Sequence, residues 1–387
     1  MSNHHPRPDL ARQIADELTG VNPLSDAPNG LFLAAPRRTG KTQFLRLDLK
    51  PELERRNCLV LYTDLWEDDG LTPMALLAAK IAVVVQANLG AITKVAKSMG
   101  LEKISVPAIL TIELSKIGKA DGLTLHQALN MLFQATGKRI VLMVDEAQHA
   151  LTTPEGDSVM RALKSARDQM KTATQANLLL VMAGSHQDKL MRLLDTASAA
   201  FWGSKVRQLP PLGDDYVAKT ASLVRQQRPE WAAVRQSALV QAFEHFGKRP
   251  QFFFNAVTDG LSQANDGVRF EQELLAYAQN QRNRDRESFT QSFAQLDSMQ
   301  QAVLVRMLDE GDAFKPFDAL ALAFYTRYLG GSAQPTTGQV QTALEGLRHK
   351  DLRMVWKSLR GEYAPYDQAM LDWHGYLIAA KQWPPRA

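Results

Sequence analysis

Apolar residues fall into short unbroken runs in the first half of the chain and into helical spacing in the second. The runs at 30–35, 58–63, 139–144 and 178–183 lack the alternation of a half-exposed strand, so each is predicted to be a strand buried on both faces. Between them, 43–53, 71–90, 125–137 and 158–170 carry apolar residues three and four apart, which predicts crossover helices joining parallel strands. A weaker pattern, Ile104, Val106, Ile109, Ile112 and Leu114, alternates and predicts a hairpin over 104–117 beside the main sheet. Past 212 the strand signals stop. Helices are predicted over 214–226, 231–246 and 251–264, followed by a polar helix that reaches a charge cluster at 281–287 with no apolar content. Helices at 298–310, 317–329 and 336–348 then precede two strand-like pieces, 352–358 and 363–366. Three helices and a hairpin make a winged helix.

This pattern predicts four segments: an N-terminal piece over 1–28, an α/β core with a parallel sheet over 29–212, an all-α lid over 213–289 and a winged-helix domain over 290–387. A chain of 387 residues exceeds the usual size of a single core, which agrees with such a division.

Composition narrows the picture in two ways. One cysteine, Cys58, excludes a disulfide framework and a zinc ribbon, and it suits a reducing, cytoplasmic setting. The balance of 45 Lys and Arg against 41 Asp and Glu leaves a net charge of +4, so no whole-chain field marks a bulk nucleic-acid binder. The opening residues lack the basic-then-apolar order of a secretory signal, so none is expected. The most apolar stretch, 71–92, carries Lys80, Gln86 and Asn88 and is expected to be a buried helix, so no membrane association is expected.

The chemistry is concentrated after the first strand. Ala35, Pro36, Arg37, Arg38, Thr39, Gly40, Lys41 and Thr42 have the phosphate-loop form, six loop positions followed by Lys and Thr, between a predicted strand and a predicted helix. Backbone N–H groups of such a loop converge on phosphate oxygens, Lys41 supplies a point charge at the outer phosphates, and the Thr42 hydroxyl ligates Mg²⁺. The first loop position, usually Gly, is Ala35. An extended backbone tolerates that residue, whereas a position demanding positive φ would not.

The strand at 139–144 ends in Asp145 and Glu146. Asp145 is placed to hold the Mg²⁺ hydration shell, and Glu146 to orient and deprotonate an attacking water. Ser185 ends the next strand, where a small polar side chain either touches the γ-phosphate or the water, or caps the following helix. Arg249 stands before Pro250 in the lid and either reaches back to the nucleotide or lies at the surface. Lys205 and Arg207, placed before a last strand, either supply charge to a neighbouring subunit's nucleotide or are simply solvated.

Together these residues resemble the AAA+ superfamily of ATPases. Within it, the loop and the Val144-Asp145-Glu146-Ala147-Gln148 strand end look like archaeal-type ATPases related to the origin-initiator and signal-transducing NTPase branches. The resemblance implies a nucleotide-binding α/β core, a helical lid and a winged helix, with ATP and Mg²⁺ as cofactors and a homo-oligomer as the working form. Asp145-Glu-Ala-Gln148 also looks like a helicase motif. Such a helicase needs a second α/β domain, and the pattern after 212 provides no strands for one.

The C-terminal segment 291–387 holds ten basic and ten acidic residues and is neutral overall. Arg348, Lys350, Arg353, Lys357 and Arg360 nevertheless gather around the end of the third helix and the wing, a candidate contact with duplex DNA. The alternative is a winged helix that docks on a partner protein, since the fold does not choose its ligand. Two functions follow: an ATPase switch acting on DNA, or a slow-hydrolysing regulatory or scaffold ATPase that assembles without DNA.

Overall fold

The computed structural model describes residues 4–385, apart from 23, 69, 99–116, 118–121, 186, 195–198, 332, 350–353, 358–362 and 367. By contacts the chain forms two compact units. One comprises 2–36 and 40–210; the other comprises 211–387 with Arg37–Thr39.

The first unit is built on five parallel strands: β1 (Leu31–Ala34), β2 (Cys58–Asp64), β3 (Arg139–Asp145), β4 (Leu178–Gly184) and β5 (Val206–Gln208). They lie in the order β2-β3-β4-β1-β5. The four unbroken apolar runs are the four longer strands, as expected, and β4 is buried at every position. Alternate residues supply the two faces. Leu33, Val141, Met143, Leu179 and Val181 join one hydrophobic cluster with Ile14 and Leu18 of the helix Pro8–Leu18 and with Phe44, Leu45 and Leu49. Phe32, Leu142, Val144, Leu180 and Met182, on the opposite face, are also fully buried.

The chain after β1 enters a helix at Lys41–Gln43, widens into π-helical turns over Phe44–Leu49 and returns to α geometry at Lys50–Arg55. Pro51 has no N–H to return to the carbonyl four residues earlier, which accounts for part of the irregularity. Asp48, buried in the wide turns, accepts from the Arg7 backbone N–H at 3.1 Å and lies 3.0 Å from His4 Nε2, so the N-terminal segment is tied to this helix.

The apolar stretch after β2 is not one helix. Pro73–Ala87, capped by Thr72, and Leu89–Ser98 are separate helices bent by 96° at the break. Among the described residues no single helix is long and apolar enough to cross a membrane. The hairpin expected at 104–117 lies almost wholly outside the described residues. Leu125–Thr136 begins with a complete capping box from Thr124 and Gln127, and Pro154–Gln169 is capped by Thr153.

Among the described residues, the regular structure of the second unit is helical except for one antiparallel pair. Asp214–Gln227, Gln236–His245, Pro250–Gln263 and the start of Gly267–Ala294 enclose a core that includes Tyr216, Phe243, Phe253 and Phe270. The last polar helix of this part was expected to run as far as the charge cluster at 281–287. Instead Gly267–Ala294 runs through it as one 28-residue helix, because Arg, Asn, Gln and Glu are adequate helix formers when nothing must be buried. A separate core containing Phe293, Leu304, Leu344 and Trp373 then gathers Ser298–Glu310, Ala319–Tyr328, Thr337–Arg348 and the hairpin of β6 (Val355–Lys357) and β7 (Tyr363–Pro365). Gln368–Ala379 is a further helix that the sequence reading did not assign, although Met370, Trp373 and Leu377 at helical spacing all turn inward to this core.

Candidate active site

The sheet order places the ends of β1, β3 and β4 side by side, with β4 between the other two. Ligands of open α/β sheets bind at such carboxyl ends. Ala35 continues the pairing of β1, donating its N–H to the Gly184 carbonyl at 3.1 Å, and its methyl belongs to the hydrophobic core. It takes no positive φ, which is why Ala is tolerated at the first loop position. The left-handed positions are Arg38, at φ 64°, and Gly40, at φ 94°. A Cβ on Gly40 would meet nothing within 4 Å, so the cost of Gly40→Ala is purely conformational. It is expected to lower stability by about 1–2 kcal/mol, read as a shifted urea midpoint with an unchanged slope.

At the start of the helix, Lys41 is 5% exposed. Its ammonium lies 2.5 Å from Asp145 Oδ1 and 2.7 Å from Glu146 Oε1. The Thr42 hydroxyl donates to Asp145 Oδ2 at 2.7 Å, and the Tyr62 hydroxyl donates to the same oxygen at 3.0 Å. Glu146 itself is left-handed, at φ 49° and ψ 40°, a costly choice for a residue with a side chain. Its second oxygen, Oε2, accepts from Gln148 Nε2 at 2.5 Å and from Ser185 Oγ at 2.9 Å. The sheet thus brings Lys41, Thr42, Asp145, Glu146 and Ser185 into one hydrogen-bonded group.

The electrostatics follow from that geometry. Burial disfavours charge on Lys41, but Asp145 and Glu146 outweigh it and its pKa lies above the ordinary lysine value. Burial likewise opposes ionisation of Glu146, yet Lys41 and the donors Gln148 and Ser185 bring it down to about 2. Burial raises the pKa of Tyr62, and the charges of Asp145 and Asp64 push it further, so Tyr62 stays a hydrogen-bond donor. Asp64, opposite Asp145 in the β2–β3 register, is raised by burial, against a backbone N–H from Trp66, and by the neighbouring Asp145 and Glu146. Tyr62, Asp64 and Gln148 are members of the site that the sequence reading missed. The signal for the first two was their place at the end of a strand adjacent to β3.

The remaining candidates lie elsewhere. Pro36 and Arg38 are exposed, Arg37 is half-buried and Thr39 is buried. Arg249 is taken up within the helical unit: it donates to the Phe246 carbonyl at 2.7 Å and to Asp285 Oδ2 at 2.6 Å, with its guanidinium 4.6 Å from the Phe252 ring. Arg207 lies inside β5 rather than before it, because pairing with β1 begins at Val206. Its guanidinium pairs with Glu17 of the first helix, and Lys205 beside it is exposed. Arg348 and Lys357 both pair with Glu345, so one carboxylate offsets part of the basic cluster. Lys350, Arg353 and Arg360 lie outside the described residues.

Comparison with solved structures then fixes the fold. The Aeropyrum pernix ORC2 protein in its ADP form aligns with a TM-score of 0.51 at 11% identity, covering 97% of this chain and 93% of that one. The chain has the fold of that ORC2 protein. The ADPNP–ADP complexes of the same protein align at a TM-score of 0.49 and 11% identity, covering 97% and 94%, and Cdc6p from Pyrobaculum aerophilum at 0.39 and 12%, covering 98% and 96%. No protein-family model matches the chain, and no curated protein matches it by sequence.

Proposed function

We propose that the chain binds Mg-ATP on the loop 35–42 and hydrolyses it, acting as a nucleotide-dependent switch. The observation that carries this reading is the convergence of Lys41, Thr42, Asp145, Glu146 and Ser185 at the carboxyl ends of three adjacent strands. The ADP form of the A. pernix ORC2 protein, which shares the fold, supports a nucleotide as the ligand.

Each residue has a role that its chemistry suits. Lys41 exchanges its carboxylate partners for phosphate oxygens, a charge-for-charge trade that keeps it paired. The Thr42 hydroxyl and the Asp145 carboxylate, 2.7 Å apart, are hard oxygen donors of the kind Mg²⁺ takes, and they would hold it as part of a largely hydrated shell. The metal when bound offsets charge on the phosphates. Glu146, freed by the departure of Lys41, orients a water and accepts its proton, and Ser185 fixes the direction of that carboxylate.

In the helical unit we assign 213–289 as the lid and 290–387 as a winged helix. The basic residues Arg348, Lys350, Arg353, Lys357 and Arg360 are its DNA contacts. A second reading, slow hydrolysis with assembly as the output, is favoured by the pairing of Arg348 and Lys357 with Glu345. ATP turnover measured with and without duplex DNA at two salt concentrations separates the two. Under the first reading DNA stimulates turnover, and Arg353→Ala with Lys357→Ala removes the stimulation and lowers the log–log salt slope of DNA binding by about 2. Under the second, DNA has no effect and ATP drives self-association in gel filtration.

A further inference from the structure

Arg282 and Arg286 stand one turn apart on the helix Gly267–Ala294 and share a face. Among the described residues neither forms an ion pair with a carboxylate, and the partners of both are neutral. A guanidinium nitrogen of Arg282 lies 3.4 Å from His245 Nδ1, at the end of the helix Gln236–His245. The Arg286 guanidinium lies 3.6 Å from the ring centre of Tyr376, on the helix Gln368–Ala379. Burial, Arg282 and Arg286 hold the His245 pKa below its ordinary value, against the nearby Glu244, so the imidazole is neutral at neutral pH and accepts from Arg282.

The surrounding acids do not cancel the two charges. Glu244 lies 3.0 Å from Lys248, and Asp285 lies 2.6 Å from Arg249. Asp372 favours charge on Arg286, but burial and the Arg282 charge outweigh it, and the Arg286 pKa falls below its ordinary value. Like charges at this spacing disfavour a helix. The fold thus sets two cations side by side and orients each on a neutral support, an arrangement that suits an anion from outside the chain.

The patch is open: Arg282 is exposed, Arg286 is half-buried and Tyr376 is 40% exposed. A small anion on such a surface is screened by salt, whereas a polyanion gains from the release of condensed counterions at every phosphate it has neutralised. Along the helix axis the two arginines are about 6 Å apart, roughly two nucleotides of one DNA strand. We propose that Arg282 and Arg286, braced by His245 and Tyr376, form a contact for the phosphate backbone of duplex DNA, on a different element from the basic wing. The inference rests on the reading of the chain as one that acts on DNA, and adds a second surface to it. Contacts to phosphate strengthen binding without selecting a sequence. Arg284, between the two in sequence, projects from the opposite side of the helix, with its guanidinium 5.8 Å from the Tyr277 ring, and serves as an internal control.

Fluorescence anisotropy of a labelled, mixed-sequence DNA duplex titrated with the full-length chain between about 50 and 200 mM salt tests the contact. Arg282→Gln with Arg286→Gln keeps length and helix propensity but removes both charges. It is expected to weaken binding about tenfold at the lower salt and to lower the log–log salt slope by about 2. Its urea midpoint should not fall, since a like-charge pair has been removed; a merely structural role would lower it. Arg282→Gln alone, an exposed change, is expected to lower the slope by about 1 and decides the matter should the double variant fail to fold. Arg284→Gln is expected to leave the slope unchanged. A slope equal to that of the wild type in the folded variants overturns the contact and leaves the DNA-acting reading in place. An equal loss from Arg284→Gln also overturns it, because the effect then follows net charge rather than position. No binding of the duplex by the wild type overturns the contact and the DNA-acting reading together.

Discussion

Glu146→Gln is expected to bind Mg-ATP as tightly as the wild type and to turn it over at least 100-fold more slowly, measured as steady-state phosphate release at saturating ATP. The amide keeps the size of the carboxylate and still accepts from Ser185, but it takes no proton from water. General-base catalysis typically contributes about 10²–10⁴-fold, which sets the expected loss. Binding should survive because Glu146 contacts Lys41 only through a pair that phosphate replaces. A variant that lost affinity along with turnover would place Glu146 among the binding groups instead.

Lys41→Ala is expected to abolish ATP binding and also to destabilise the free protein. The Lys41 ammonium is the cation paired with both Asp145 and Glu146, and all three side chains are 12% exposed or less. Removing one member of a buried pair costs about 3–5 kcal/mol, because the partner charges are left without compensation. The loss carries a pH signature. Glu146 is held at about 2, below the ordinary carboxylate value of 4.5, so its contribution to stability is complete above that ordinary value and disappears as pH falls through about 2. In Lys41→Ala that contribution is gone, and the stability gap between variant and wild type should narrow as pH is lowered. Denaturant titrations at pH 7 and pH 3 check this. A gap that stayed constant across that range would mean that the pairs do not stabilise the fold.

The conformation of the loop 35–42 and the strand ending in Asp145-Glu146 were legible because their information is local: eight consecutive residues, or an apolar run with two acids at its end, flanked by the right elements. The four buried strands were legible for the same reason, since an unbroken run of Leu, Val and Met with turn residues on either side has few other places to go. What escaped was set by pairing between distant segments. Tyr62 and Asp64 enter the site only because β2 lies against β3 in a register that sets Asp64 opposite Asp145. Arg207 read as either a charge supplied to a neighbouring subunit's nucleotide or a solvated cation, but it pairs with Glu17, 190 positions earlier on the first helix. The continuation of one helix from Gly267 to Ala294 escaped for a different reason. Charged, apolar-poor residues around 281–287 carry no burial signal, so periodicity could not distinguish a linker from the exposed middle of a long helix.

The resting arrangement also explains how the basic residue of the loop can be so thoroughly buried before nucleotide arrives. Lys41 keeps Asp145 and Glu146 compensated, and under the proposed reading it would leave them for a ligand that brings its own negative charge. Under the proposed reading, affinity for phosphate, affinity for Mg²⁺ and release of the base would be coupled through that one ammonium.

Equilibrium titration of Mg-ATP into the wild type and into Lys41→Ala tests the central claim most directly. The account predicts one saturable site per chain in the wild type and no measurable binding in the folded variant. Equal affinity in the two proteins would contradict it.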